Sequence, residues 1–362
     1  MMSTATNPMT SATMNPQTHE TTHPKTNPMT DASTRSVPKA AMKAIAYDRY
    51  GSFDVLALRE LDRPVIGRGE VLVRVHAAAV HVGDCFGVRG APFAMRVVSG
   101  LLRPTYGVPG FDLSGTVEAV GADVTTCKPG DQVFGAGVGT CAEYARAKAS
   151  TLAPLPAGLS FVEAAALPTS GVAALRGLRD TGKLRSGQSV LINGASGGVG
   201  SFAIQIAKSF GATVTAVCGP KNVELVRSLG ADHVIDYTRE DFTSGATRYD
   251  LILDNIENRS LSDCRRALKD TGTLIVNSGT GAQGLAMLVR LIKPLVLSPF
   301  VRHTLRRYVA MPTREDLLAL TELVQAGKLK PVIDSTRPLS ETRAALEHVE
   351  SGRARGKVVV LP

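Results

Sequence analysis

Several features that mark particular protein classes are scarce or absent in this sequence of 362 residues. It has no tryptophan and only five cysteines, too few and too widely spread for a disulfide scaffold, which favours reduced thiols in a cytoplasmic compartment. No apolar run reaches the roughly 20 residues that a membrane-spanning helix needs. The hydrophobic content of 44% is nevertheless enough for a full core, which excludes a wholly disordered chain.

Clustered basic residues are also absent, although the formal net charge is +9 at pH 7. Lysines and arginines are dispersed along the chain, and no basic stripe with interleaved aromatics marks a nucleic-acid partner. The excess charge either steers an anionic ligand such as a phosphorylated cofactor or forms an ordinary solvated surface. Composition leaves both interpretations open.

Residues 1–41 have almost no core-forming side chains. They are rich in threonine, proline and methionine, contain no aromatic residue, and include Val37 as their one branched aliphatic. Such a segment cannot bury enough apolar area to offset the entropy lost on ordering, so we expect a disordered N-terminal extension. It also lacks the apolar region of a signal peptide.

The remainder divides into two patterns. Short strand-like runs separated by turn signals fill residues 42–165, which is typical of a partly closed β-barrel. Strands and helices alternate over residues 166–303, which favours a doubly wound parallel sheet covered on both faces. A C-terminal segment, 304–362, ends in the strand-like run Lys357–Leu361, which could return to the first domain. The predicted fold class is therefore α/β with two domains.

The sharpest motif is a glycine-rich turn, N-G-A-S-G-G-V-G at Asn193–Gly200. It follows the buried-strand pattern Val190–Ile192 and opens a helix, which is the context that a dinucleotide-binding fingerprint requires. Small residues let the chain turn tightly and approach a pyrophosphate, while the helix N-terminus offers free N–H groups to the phosphates. We interpret the motif as a dinucleotide site; the alternative is a structural glycine-rich turn.

The second strand of this βαβ unit ends at Val217–Lys221 without a carboxylate. NAD-selective sites usually place an acidic residue there to bind the ribose 2′-OH, whereas Lys221 is positioned to meet a 2′-phosphate. The sequence therefore predicts NADP(H). In the alternative, Lys221 is a solvated lysine at a helix start and cofactor selectivity is loose.

Several further stretches follow one another in a characteristic order: Val80–Asp84 with Arg89-Gly90, Pro109–Gly115, Lys128–Val133, the glycine turn, Leu229–Tyr237 and Arg355–Val358. Together they resemble the medium-chain dehydrogenase/reductase superfamily over about residues 42–362, and more closely its zinc-independent quinone oxidoreductase branch, the group of zeta-crystallin. The resemblance implies a GroES-like β-rich catalytic domain, a Rossmann domain, and a cofactor in the cleft between them. It also implies that the C-terminal segment rejoins the catalytic domain and that the protein is a homodimer.

Zinc-dependent relatives carry ligands that this sequence lacks. They place Gly-His-Glu where Gly110-Phe111-Asp112 stands and Cys where His81 stands, and Phe111 cannot coordinate a metal. His81 and Asp112 alone fall short of the three protein ligands of a catalytic zinc site, so we predict no metal.

Without zinc, nothing activates an alcohol hydroxyl, and reduction of an electrophilic acceptor is the easier reaction. The resemblance thus implies an NADPH-dependent reductase that transfers hydride to quinones or α,β-unsaturated carbonyls. The alternatives are an NADP(H)-dependent alcohol or aldehyde dehydrogenase and a non-catalytic NADPH-binding redox sensor.

Site residues are carried over from the resemblance position by position. Cofactor contacts are implied for Phe86, Thr169, Ser196, Gly197, Gly198, Val199, Lys221, Tyr237, Asn258, Asn277, Ser278 and Gly279. Candidate catalytic residues are His81, Asp84 and Tyr50. The family commonly has Asn in place of His81 and Ser or Thr around Gly219 and Pro220, so two phosphate-binding hydroxyls are missing here.

His81 and Asp84 could orient substrate or relay a proton, because histidine titrates near neutrality. In the alternative, which we favour for Asp84, the carboxylate caps the next turn and His81 is a satisfied interior histidine. The apolar and basic segment Leu285–Leu305 could line the acceptor pocket or make a peripheral membrane contact. We favour a third interpretation of this segment, a buried interdomain or dimer helix pair.

Overall fold

The computed structural model describes residues 40–91, 93, 96–277 and 301–362. Nearly all of the predicted N-terminal extension and most of the segment Leu285–Leu305 lie outside these ranges. Ala41, which the sequence analysis placed in the extension, begins the first strand and pairs with Asp62. None of the described helices is both long and apolar enough to cross a membrane.

Antiparallel strands build the β-rich part of the chain. Its central strand contains Val71, Val73 and Val75, all buried, as expected where β-branched side chains pack on a pleated surface. The strands are β1 (Ala41–Ala46), β2 (Ala57–Asp62), β3 (Glu70–Val80), β4 (Asp112–Val120), β5 (Gln132–Ala136), β6 (Tyr144–Lys148) and β7 (Leu152–Pro154). β1 and β2 form a hairpin, β3 pairs with β4 and β6, and β5 lies between β4 and β7.

A six-stranded parallel sheet forms the second part. Its strands are β8 (Ser189–Asn193), β9 (Thr213–Cys218), β10 (His233–Asp236), β11 (Tyr249–Asp254), β12 (Leu268–Val276) and β13 (Thr304–Arg307). Their order across the sheet is β10-β9-β8-β11-β12-β13. This is the doubly wound Rossmann order, in which the direction of strand addition reverses between β8 and β11.

Alternate residues of β8 supply two cores on opposite faces of this sheet. Val190 and Ile192 pack in one buried cluster with Phe202, whereas Leu191 packs in another with Ile252. A parallel strand covered on both faces must be apolar at every position, which explains the uninterrupted apolar run.

The C-terminal strands lie in the antiparallel sheet. The two strands are β14 (Ile333–Pro338) and β15 (Lys357–Leu361). β15 pairs antiparallel with β3, through Val358 opposite Val80, and parallel with β14. The predicted domain boundaries near residues 165 and 303 stay predictions.

Helices begin where the sequence supplies caps. Ser160 and Glu163 form a reciprocal capping box, and Thr313 and Asp316 form another. The described helices are α1 (Val82–Arg89), α2 (Arg96–Ser99), α3 (Phe161–Ala166), α4 (Pro168–Arg176), α5 (Gly198–Ser209), α6 (Val223–Ser228), α7 (Leu261–Arg266), α8 (Arg314–Gln325) and α9 (Thr342–Glu350).

One helix begins at a proline and continues into a different helical geometry. α4 begins at Pro168, and a π-helical turn, Gly177–Thr181, follows it. Proline is tolerated at the first helical position because the N–H that it lacks would have no partner inside the helix.

We expect Phe202→Ala to lower the free energy of unfolding by about 3–5 kcal/mol, because a fully buried aromatic side chain is lost and a cavity remains. Denaturant titration measures the loss. Val65→Ala is the control, since Val65 is 72% exposed and should change stability by less than about 0.5 kcal/mol. Equal effects of the two substitutions would contradict the assignment of Phe202 to the core.

Candidate functional site

The glycine-rich turn lies at the carboxyl end of β8, beside the point where the strand order reverses. Ligands of open α/β sheets bind in the crevice at such a point. A Cβ at Gly200 would lie 2.2 Å from the backbone oxygen of Gly194, so the helix start can approach the strand this closely only without a side chain. The N-cap of α5, Gly197, supplies no side-chain acceptor to the first turn. These N–H groups and the positive end of the helix dipole therefore fit a pyrophosphate.

Two neighbouring segments hold the turn at Ser196. The N–H of Gly356, just before β15, donates to the backbone oxygen of Ser196 at 2.9 Å. The Nδ2 of Asn222 donates to the Ser196 hydroxyl at 2.9 Å. The turn is thus fixed both from the C-terminal strand and from the loop after β9, before any ligand binds.

Lys221 and Tyr237 lie at the same edge of the sheet, after β9 and β10. Lys221 is exposed in a short 3-10 turn, Pro220–Asn222. The N–H of Tyr237 donates to the backbone oxygen of Cys218, and a Cβ at Gly219 would lie 3.1 Å from the Tyr237 hydroxyl. Tyr237 therefore lies against the start of the loop that carries Lys221, the other residue assigned to the adenosine end of the cofactor.

A ladder of amide side chains crosses the crevice. Asn193 Nδ2 donates to Asp254 Oδ1 at 2.8 Å and to Asn258 Oδ1 at 3.1 Å. Asn255 Nδ2 donates to the backbone oxygen of Asn193, and Asn277 Nδ2 donates to Asn255 Oδ1 at 2.9 Å. Asn258 and Asn277, both assigned to the cofactor, thus face the same crevice. Ser278 and Gly279, assigned with them, lie outside the described residues.

Asp254 is a residue of this ladder that sequence reasoning missed. Its Oδ1 accepts from the backbone N–H groups of Ile256 and Glu257 as well as from Asn193. Glu257 has a left-handed φ of 56°, and both of its carboxylate oxygens accept from Arg307 of β13. The hydrogen bonds to Asp254 and the ion pair between Glu257 and Arg307 therefore hold the loop that contains Asn258. The available signal was an acidic residue directly after the apolar run Leu251–Leu253.

Thr169 belongs to a second buried network, between the antiparallel sheet and α4. Its N–H and hydroxyl both donate to Asp112 Oδ1, at 3.0 and 2.5 Å. Lys357 Nζ donates to Asp112 Oδ2 at 3.2 Å and to the Ser170 hydroxyl at 3.3 Å. Lys357 is 2% exposed and Asp112 is fully buried. The ion pair thus fixes the hydroxyl assigned to the nicotinamide side.

This network contacts the phosphate-binding turn directly. A Cβ at Gly198 would lie 3.1 Å from the Ser170 hydroxyl and 3.2 Å from Lys357 Cδ. Sequence reasoning had weighed Asp112 only as a metal ligand and had missed Lys357. The available signal was a charged residue at the first position of each strand, β4 and β15.

His81 and Asp84 form a reciprocal cap at the start of α1. The His81 Nδ1 accepts from the N–H of Gly83, and Asp84 Oδ2 accepts from the N–H of His81. Asp84 is buried, which raises the pKa of its carboxyl group. Asp84 therefore caps the start of α1, as one of the two interpretations of the sequence proposed. In this position it can orient His81 and is poorly placed to contact a substrate.

The second ring nitrogen of His81, Nε2, is buried and has no hydrogen-bond partner among the described residues. Because Nδ1 accepts a hydrogen bond, the neutral ring carries its proton on Nε2, which lies 3.7 Å from Asp84 Oδ2. The ring stacks on Phe111 with centroids 5.9 Å apart, and Phe111 is 40% exposed. His81 Nε2 is thus a buried proton donor without a partner, next to a partly exposed aromatic ring.

The two remaining assigned residues lie on or beside α1. The Tyr50 hydroxyl donates to the backbone oxygen of Gly100. The guanidinium of Arg96 lies over the Tyr50 ring, 4.5 Å from its centroid. Phe86 is half-buried on α1. Tyr50 therefore holds the segment that follows α1.

The residues at the position where zinc-dependent relatives hold their metal do not fit a zinc ion. Phe111 offers no ligand, His81 Nδ1 is engaged in the helix cap, and burial raises the pKa of the Cys85 thiol. No group of three His, Cys, Asp or Glu side chains that could hold a metal occurs in the part of the chain that the structure describes.

Fold and site together define an oxidoreductase built from a GroES-like domain and a Rossmann domain. The family model described as alcohol dehydrogenase GroES-like domain matches residues 67–157, and the one described as zinc-binding dehydrogenase matches residues 229–360. The chain belongs to the medium-chain dehydrogenase/reductase superfamily, in its quinone oxidoreductase branch, which confirms the family and fold predicted from the sequence.

Individual relatives support this placement. The 2-methylene-furan-3-one reductase of Solanum lycopersicum is 36% identical over 342 residues, covering 90% of this chain and 80% of the relative. The chloroplastic NADPH-dependent alkenal/one oxidoreductase of Arabidopsis thaliana is 34% identical over 343 residues, covering 90% of this chain and 81% of the relative. The structure of the quinone oxidoreductase from Coxiella burnetii superposes with a TM-score of 0.79 at 32% identity. The match covers 89% of this chain and 100% of that structure.

We expect Asp112→Asn to lower the free energy of unfolding by about 3–5 kcal/mol, because Lys357 keeps a buried charge without its partner. The double variant Asp112→Asn/Lys357→Met should recover most of that loss in denaturant titration. Asp123→Asn is the control, since its ion pair with Arg68 is exposed and should contribute less than about 1 kcal/mol. Additive losses in the double variant would show that the two charges do not stabilise each other.

Proposed function

We propose that this protein is an NADPH-dependent, zinc-independent reductase that transfers hydride to quinones or α,β-unsaturated carbonyls. The observation that carries the proposal is the glycine turn at the N-terminus of α5, fixed at Ser196 and contacting the Asp112–Lys357 network at Gly198. The relatives, which include an NADPH-dependent alkenal/one oxidoreductase and a quinone oxidoreductase, support the cofactor and the acceptor class.

NADPH, when bound, would supply the hydride. The backbone of the glycine turn, including Gly197, Gly198 and Val199, would bind the pyrophosphate through N–H groups. Lys221 and Tyr237 would bind the adenosine end. Thr169, held by Asp112, would orient the nicotinamide side of the cleft, and the amide ladder would fix the rest of the cofactor.

On the acceptor side, the open face of Phe111 offers an apolar surface for a flat conjugated ring or enone. His81 Nε2 lies beside it and holds a proton in the neutral tautomer. We propose that His81 places this proton at the acceptor oxygen that gains negative charge. Asp84 acts as a positioning residue, since it caps the backbone at His81.

We also propose that the protein forms a homodimer and works in a reducing compartment such as the cytoplasm. Within the described residues, β13 is an edge strand with β12 as its one neighbour in the sheet, and such edges favour pairing with another chain. All five cysteines are free thiols, as expected where disulfides are kept reduced.

The reaction class is tested by loss of reduced-nicotinamide absorbance with quinones, enones and simple aldehydes, with and without a chelator. We expect oxidation of NADPH with quinone or enone that the chelator does not change. Activity that the chelator abolishes would contradict zinc independence. Tight NADPH binding without turnover on any acceptor would favour a redox sensor instead.

The cofactor preference is tested by Lys221→Ala. A charged hydrogen bond contributes about 1.5–3 kcal/mol, so the ratio of kcat/KM for NADPH to that for NADH should fall by about tenfold or more. Lys128→Ala is the matched control, because Lys128 is also exposed but lies in the other domain. An equal fall with both cofactors would contradict recognition of the 2′-phosphate by Lys221.

A further inference from the structure

An exposed apolar surface follows α1. In the loop at residues 91–106, described except at positions 92, 94 and 95, four large apolar side chains are more than half exposed. They are Phe93 (65%), Val97 (76%), Leu101 (56%) and Leu102 (86%). Apolar side chains exposed singly are ordinary, but several within one short segment mark an interaction surface. We call residues 91–106 the apolar loop.

The apolar loop is fastened to the body of the protein by polar contacts. The Tyr50 hydroxyl donates to the Gly100 oxygen at 2.6 Å, and the N–H of Tyr47 donates to the Gly107 oxygen at 2.7 Å. Arg96 Nε donates to the Gly90 oxygen at 2.9 Å. These bonds hold the loop near its start, middle and end, while Phe93, Val97, Leu101 and Leu102 stay exposed.

The loop itself carries charged residues of one sign. No aspartate or glutamate occurs between Asp84 and Asp112, while Arg89, Arg96 and Arg103 lie in that stretch. Arg89 is paired with Glu350 and Arg96 bonds to the Gly90 oxygen, but Arg103 is exposed. Exposed apolar side chains beside an exposed cation complement a surface with an apolar interior and anionic phosphates.

We propose that the apolar loop docks this protein on an anionic lipid bilayer. Phe93, Val97, Leu101 and Leu102 enter the boundary between headgroups and acyl chains, and Arg103 stays at the lipid phosphates. This surface differs from the segment Leu285–Leu305, which lies mostly outside the described residues.

The loop also joins the two sides of the candidate acceptor site. It begins after α1, which His81 caps, and it ends shortly before Phe111 and β4. A docked loop would therefore place the cleft near the membrane, where lipid-soluble quinones and enones are concentrated. This consequence rests on the proposed function, whereas docking itself does not.

Co-sedimentation of the full chain with vesicles tests the proposal, using phosphatidylcholine alone or mixed with phosphatidylserine. We expect partition onto the anionic vesicles that weakens at high salt. Val97→Asp/Leu102→Asp should lower the partition coefficient by at least about tenfold. Val309→Asp/Met311→Asp is the matched control, because these side chains are 83% and 65% exposed outside the loop, and its partition should not change.

Thermal unfolding of the loop variant should match the wild-type protein, since both substituted side chains are exposed. This readout keeps the test independent of enzymatic activity. The proposal is overturned if wild type does not partition onto anionic vesicles, or if both double variants lose partition equally. It is also overturned if the loop variant dissociates an oligomer in light scattering, which would assign the surface to a second copy of this chain.

Discussion

The buried ion pair between Lys357 and Asp112 is the contact on which the site depends. Each charge is costly to bury alone, so the strands that carry them, β15 and β4, must both be in place for either to be tolerated. The same carboxylate holds Thr169, and the same lysine packs beside Gly198. Two side chains therefore hold the antiparallel sheet, its C-terminal strand and the glycine-rich turn in one arrangement.

A second polar system organises the opposite side of the crevice. The amide ladder from Asn193 to Asn277 connects the carboxyl ends of three neighbouring strands, and Asp254 holds the loop that contains Asn258. Buried polar networks of this kind stabilise one arrangement when every member has a partner. The carboxyl edge of the parallel sheet is thus held in one arrangement by its own side chains.

The surface beside His81 differs from the amide ladder in being exposed and apolar. Phe111 is exposed beside His81, and the apolar loop extends from the same region. Polar contacts around Tyr50 hold that loop in place while Phe93, Val97, Leu101 and Leu102 stay exposed. Under the proposed function, this apolar surface suits an acceptor that is itself flat and poorly soluble in water.

The sequence by itself determined the parallel sheet, the dinucleotide turn and the family, because these depend on local patterns: the apolar run of β8, the glycines that follow it, and the alternation of strands with helices. It placed Asn277 at the end of a strand, and Asn277 directly follows β12. Only the tertiary structure decided what Asp112 does, since its partner Lys357 is 245 positions away and no local pattern joins them. It likewise decided that Asp84 caps α1 and that the loop after α1 leaves its apolar side chains exposed, because burial is fixed by packing between distant segments.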